Sequence, residues 1–210
     1  MIVSDSRKVI FVHNQKTGGV SITKALMNSG GFRRDGHTHE GASQILSRGI
    51  ALGEHFSFGF VRNPWARLAS WYVMFRSNPV KNITPFWDYI RLSLGSFKRF
   101  LTRTDVVIED GYVPMGITRP QCWYFKKNGV VVVDRICRYE NFQNEIAEIE
   151  NILNDRGVQG TDQGQQRVRL QVPWLNKFKN YDYRELYDDE SRKLVASWYE
   201  EDIDAFGYTF

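Results

Sequence analysis

Two short apolar runs, each broken by a turn and followed by a helical period, do most to restrict the folds open to this chain. Val9–Val12 leads into a Lys-Thr-Gly-Gly turn and then into Ser21–Met27, which reads as a helix closed by Gly30 and Gly31. Phe56–Val61 lacks a clean alternation of polar and apolar positions, as expected of a strand buried on both faces. Asn63 then stands where a helix cap belongs, with Pro64 at the first helical position. Trp65, Leu68, Ala69, Tyr72 and Phe75 follow at helical spacing. Strand, junction and helix in repetition indicate an α/β fold with a parallel sheet.

The rest of the chain extends this pattern. A helix is expected near Ala42–Leu46, and a basic, aromatic one from Pro85 to about Arg103. Asn128-Gly129 is a turn before Val130–Val133, the third strand candidate. Ile146, Ile149, Ile152 and Leu153 mark an amphipathic helix that stops near Gly157, and a last helix runs from about Asp189 to Ile203. Gly160–Gln171 has no periodicity and reads as a loop, or as a lid that orders on binding.

No internal repeat or linker divides the chain. Its 210 residues, 42% apolar, suffice for one domain with a real core, so 1–210 is expected to be a single domain.

Composition excludes several classes. The two cysteines, Cys122 and Cys137, form no C-x-x-C pair, which disfavours a disulfide framework or a cysteine zinc site. No run approaches the roughly 18 apolar residues of a membrane span, and Met1–Lys8 has no signal-peptide apolar stretch. The chain therefore reads as cytoplasmic, without integral membrane association. A net charge of +4 suits a polyanionic ligand, but the basic residues are dispersed rather than gathered in a stripe, against nucleic-acid binding.

The two junctions bear the chemistry. Gly18 and Gly19 let the backbone turn tightly, so that amide N–H groups and a helix N-terminus face an anion. Lys16 adds a point charge, and Thr17, Ser21 and Thr23 add hydroxyls. Lysine follows the glycines in a Walker loop and precedes them here, so a nucleotide triphosphatase is disfavoured. Taken alone, Lys-Thr-Gly-Gly is equally an ordinary tight turn. At the second junction, Arg62 ends a strand with a fork suited to phosphate, and Ser70 in the following helix offers a hydroxyl to the same group.

Together, His13–Ser21 and Phe58–Tyr72 resemble the two cofactor-binding motifs of the 3′-phosphoadenosine 5′-phosphosulfate-dependent sulfotransferases, in the branch that includes carbohydrate sulfotransferases. Asp134–Phe142 is similar to the family's strand-to-helix segment before its late helix. Tyr183–Asp188 and Asp202–Tyr208 are similar to the C-terminal tail of bacterial members.

The resemblance implies a nucleotide-kinase-like fold, a central parallel sheet flanked by helices. It implies that Lys16, Thr17, Gly18, Gly19, Val20 and Ser21 hold the 5′-phosphosulfate, and that Arg62 and Ser70 hold the 3′-phosphate. Lys177, in a basic stretch like one before the family's C-terminal Tyr-Arg segment, is a further candidate cofactor contact. The product would be adenosine 3′,5′-bisphosphate, and no metal is implied.

Sulfuryl transfer, like phosphoryl transfer, needs in-line geometry and an offset for the charge that develops on the leaving group. Lys16 suits that second task. An attacking hydroxyl needs a base, and histidine has a suitable pKa. Of four histidines, His13 is expected to pack at the end of its strand and His55 to lie at an edge. His39-Glu40-Gly41-Ala42 resembles the family's segment between the motifs, a histidine with an alanine three residues on, which makes His39 the base and His37 the runner-up.

Arg91, Lys98, Arg99 and Arg103 form either a basic face toward an acidic acceptor or a solvated one, and Trp65 either stacks on adenine or packs in the core. The expected acceptor is a hydroxyl of a carbohydrate, ahead of a lipid or small alcohol. A nucleotide-binding protein without catalysis is the alternative, disfavoured by Lys16. The oligomeric state is left open.

Overall fold

The computed structural model describes residues 1–77, 95–109, 116–117, 119–156, 167–172 and 182–210. The chain forms two units, one from residues 1–62 with 121–177 and the other from 63–120 with 178–210. The described strands are β1 (Ile2–Ser4), β2 (Val9–Val12), β3 (Arg33–Arg34), β4 (Phe56–Val61), β5 (Lys126–Lys127), β6 (Val130–Val131) and β7 (Arg135–Arg138). The described α-helices are α1 (Gly19–Asn28), α2 (Ala42–Ser47), α3 (Pro64–Ser77), α4 (Phe97–Glu109), α5 (Phe142–Asp155), α6 (Asp189–Trp198) and α7 (Glu200–Phe206).

The first unit is built on a five-stranded sheet in the order β3-β1-β2-β4-β7. β2, β4 and β7 run parallel, with Phe11 opposite Phe58 and Phe60 opposite Cys137. Beyond β2 the sheet continues with β1 and β3, each antiparallel to its neighbour, an extension not anticipated from the sequence. Val9, Phe11, Phe56, Phe58 and Phe60 share one sheet face, and bury it against Ile22, Ala25 and Leu26 of α1 and Ile146, Ile149 and Leu153 of α5. On the other face, a Cβ added at Gly59 would stand 2.3 Å from the ring of Phe125, so β4 needs glycine there for Phe125 to close over it.

β4, α3 and α5 form where the periodicities place them. The valine run does not join the main sheet. Asn128 and Gly129 both take positive φ, 51° and 78°, and turn Val130–Val131 back onto Lys126–Lys127 as a two-residue hairpin. The third parallel strand is instead β7, half-exposed Arg-Ile-Cys-Arg, tied in by Asp134. The Asp134 carboxylate accepts from both the backbone amide and the hydroxyl of Ser57, at 2.7 and 2.8 Å.

In the second unit, Asn63 caps α3 as expected, its Oδ1 accepting from the amides of Trp65 and Ala66 at 3.1 and 3.3 Å. Tyr72 packs on Phe97 and Phe100, and Phe210 on Trp65 and Tyr187. Arg67 is wholly buried on α3, and its guanidinium donates to the carbonyls of Gly116 and Arg119 at 2.9 and 3.2 Å. The single last helix expected from the sequence is divided at Tyr199, which is buried and donates its hydroxyl to the Ile117 carbonyl. The helix expected over Pro85–Arg103 is described only as α4, which runs on to Glu109; residues 78–94 lie outside the described residues.

Candidate active site

At the end of β2 the chain makes a tight loop before α1. Lys16 takes φ 65° and Gly18 φ 83°. The left-handed region costs a non-glycine residue about 1–2 kcal/mol, so Lys16 is held there by its surroundings. Thr17 closes the loop, its hydroxyl donating to the Asn14 carbonyl at 3.0 Å.

Both glycines are forced by close approach. A Cβ at Gly18 would lie 2.9 Å from the Phe142 ring, and one at Gly19 2.0 Å from that of His13. No side chain caps α1, so its first amide N–H groups are not taken by a cap and suit an anion. Ser21 is buried in this first turn, Val20 is exposed and Lys16 half-buried.

Because β2 and β4 are parallel neighbours, the second junction emerges at the same end of the sheet as the first. Gln121, fully buried, clamps it: its Oε1 accepts from the Arg62 amide at 2.9 Å and its Nε2 donates to the Arg62 carbonyl at 2.7 Å. Asn14 joins the two strand ends, donating to Gln121 Oε1 at 3.1 Å and to the Phe60 carbonyl at 2.9 Å. The Arg62 guanidinium lies 4.5 Å from the centre of the Tyr139 ring, with Nη1 3.4 Å from the Lys16 carbonyl oxygen.

His39 comes to the same junction. Its loop is pinned by Arg48, which pairs with Glu40 at 2.7 Å and also with Asp35. Nδ1 of His39 lies 3.1 Å from the His13 carbonyl oxygen, and the two imidazoles meet edge to face with centres 4.6 Å apart. Burial pushes His13 down to about 3, and burial likewise lowers the pKa of His39 from its ordinary value, partly countered by its hydrogen bond to the His13 carbonyl.

The other histidines fall elsewhere. His37 is exposed, and its carbonyl accepts from the Met1 amino group at 2.7 Å. His55 stands just before β4, at the end opposite Arg62 and roughly 20 Å from it at the usual rise per residue.

The sequence model of the Sulfotransferase family matches residues 1–209. The chain belongs to the sulfotransferase family. Neither a curated protein nor a solved structure matches it. The enzyme is thus a transferase of the family that uses 3′-phosphoadenosine 5′-phosphosulfate as sulfuryl donor, with a hydroxyl-bearing acceptor. Among the described residues no helix is long and apolar enough to cross a membrane, and no group of three or more His, Cys, Asp or Glu could hold a metal ion.

The remaining candidates are placed as follows. Ser70 is buried on α3, in the second unit. Lys177 lies outside the described residues. Trp65 is a core residue: it is buried, its Nε1 donates to the Arg192 carbonyl at 3.0 Å, and its ring meets Phe210, which removes it as an adenine platform. Lys98 on the expected basic face pairs with Glu190 at 2.6 Å.

Three residues of the enzyme's junctions escaped the sequence reading. Gln121 lies 59 residues from Arg62 in a segment without a pattern, so no local signal marks it. Asn14 and Tyr139 fall inside the motif segments, but nothing in sequence distinguishes a strand tie or a guanidinium platform from a packing residue.

Proposed function

We propose that the enzyme transfers the sulfuryl group of 3′-phosphoadenosine 5′-phosphosulfate to a carbohydrate hydroxyl in one in-line step. Thr17, Gly18, Gly19, Val20 and Ser21 hold the 5′-phosphosulfate, Arg62 and Ser70 the 3′-phosphate, with Lys177 a further contact. As the acceptor oxygen bonds to sulfur, the bond from sulfur to the bridging phosphate oxygen breaks. The acceptor proton passes to His39, and Lys16 offsets the charge left on the bridging oxygen.

The observation that carries this reading is the convergence, in one unit, of the uncapped α1 N-terminus, Lys16, Arg62 and His39 at one end of the β2–β4 pair. The junction's glycine cradle and Arg62 fork fit a ligand with anions at both ends. Resemblance to the carbohydrate branch supports the sugar acceptor.

Transfer of labelled sulfuryl from the donor to a panel of glycans, lipids and small alcohols tests the acceptor. Label on glycans is expected; label confined to lipids or alcohols overturns that part. Adenosine 3′,5′-bisphosphate should also stabilise the protein far more than adenosine 5′-monophosphate, by about 2.7 kcal/mol at a hundredfold excess over its Kd. Equal shifts in Tm would remove the 3′-phosphate assignment.

A further inference from the structure

We infer that His13 is a positioning residue that selects Nε2 of His39 as the base nitrogen, its carbonyl holding a proton on His39 Nδ1 and its ring holding the His39 ring in place. This rests on the reading of His39 as base.

A carbonyl oxygen only accepts. The 3.1 Å contact therefore requires Nδ1–H in the neutral His39 ring, and leaves the lone pair on Nε2. Rotating the ring by 180° would replace this donor with a carbon and break the hydrogen bond. The edge-to-face contact, at 70° between planes, adds a steric wall against that rotation.

His13 is itself fixed on three sides. Its ring stacks on Phe11 of β2, with centres 5.6 Å apart and planes inclined by 24°. It fills the space over Gly19 at the start of α1, where even a methyl group would collide with it. Its third neighbour is His39.

One buried imidazole therefore touches both the first turn of the anion loop and the base. Its burial keeps it neutral, so it sets geometry without adding a repelling charge. The other charges that bear on the pair are the Met1 amino group, which disfavours the cationic form of both histidines, and Arg34, which does so for His13; Glu40, next to His39 in the chain, is paired with Arg48.

The test needs no folded variant at its centre. In ¹⁵N spectra of the histidine-labelled protein at pH 8, with His39 assigned by the signal lost in His39→Gln, Nδ1 should carry the proton and Nε2 should be unprotonated. A proton on Nε2, or exchange between the two tautomers, overturns the inference.

His13→Ala supplies a second readout. It should bind adenosine 3′,5′-bisphosphate, lose roughly tenfold or more in kcat, and move the acidic limb of the pH–rate profile upward as water reaches His39. Unchanged kcat, or a lower kcat with the limb unmoved, counts against positioning. Should His39→Ala turn over normally, the base assignment itself falls. An inactive His39→Ala together with a proton on Nε2 would remove this inference alone.

Discussion

Two side chains, Lys16 and His39, divide the work expected of the transfer step, and each has its own kinetic signature. Lys16→Ala should lower kcat by about 10²- to 10³-fold, as when one charge-stabilising donor is lost, with a smaller change in donor KM. Steady-state kinetics at saturating donor check this; normal turnover at saturation would assign Lys16 to binding alone. His39→Ala should lose about 10²- to 10⁴-fold, and His37→Ala little. Burial disfavours the imidazolium, so the pKa of His39 lies below the ordinary value of about 6.5. Activity should therefore persist as pH falls through 6.5 and drop only lower, a limb that His39→Ala should abolish. At this scale Lys16 was legible as a charge just ahead of two glycines and Arg62 as a charge at a strand's end before Asn63-Pro64, both of them local patterns. Gln121 was not, since a buried amide serving two main-chain groups is recognised only once the strands are paired.

Among the elements, β2 and α1 form the hinge of the design. α1 must begin with a residue lacking a side chain, because the His13 ring occupies the place of a Cβ at Gly19. Gly19→Ala should push His13 out of its packed position, costing on the order of 1–3 kcal/mol and weakening nucleotide binding with it. Denaturant melts and a bisphosphate titration check both; a variant that melts and binds as the wild type would mean that the ring yields freely. β4 was legible from its sequence because burial on both faces leaves an apolar run. β7 was not: it is half-exposed, and its membership depends on register with Phe58–Val61 rather than on its own composition. The valines drew the reading instead, and the Asn-Gly turn, a stronger local instruction, folded them into a hairpin. The break at Tyr199 was invisible for a related reason, since it follows from a tertiary hydrogen bond.

For the whole molecule, the buried His13 makes folding sensitive to acid. Its pKa falls from about 6.5 in the unfolded chain to about 3 in the folded one, so below pH 6.5 the unfolded state binds the extra proton. The stability it contributes is complete above pH 6.5 and is lost progressively as pH falls toward 3, amounting to about 2 kcal/mol by pH 5. Urea unfolding at pH 7.5 and 5, in wild type and His13→Leu, isolates the effect: the variant should lose less on acidification. An equal loss in both would place the acid sensitivity elsewhere. The parallel α/β arrangement itself was open to sequence reading, because strands and helices alternate; the antiparallel β1–β3 extension was not, because three- and two-residue strands carry too few positions to show a period.

The left-handed backbone at Lys16 sets stability against activity. Glycine takes that conformation without the steric penalty borne by lysine, and gives back part of the difference through its looser unfolded chain. Lys16→Gly should therefore fold at least as stably as the wild type, by up to about 1 kcal/mol, while losing the transfer reaction. For stability alone glycine would be the better residue at this position, so the strain borne by lysine there is what the leaving-group role proposed for it would have to outweigh. Thermal melts beside turnover assays of Lys16→Gly and Lys16→Ala separate the two effects: glycine should be the more stable of the pair, and neither should turn over normally.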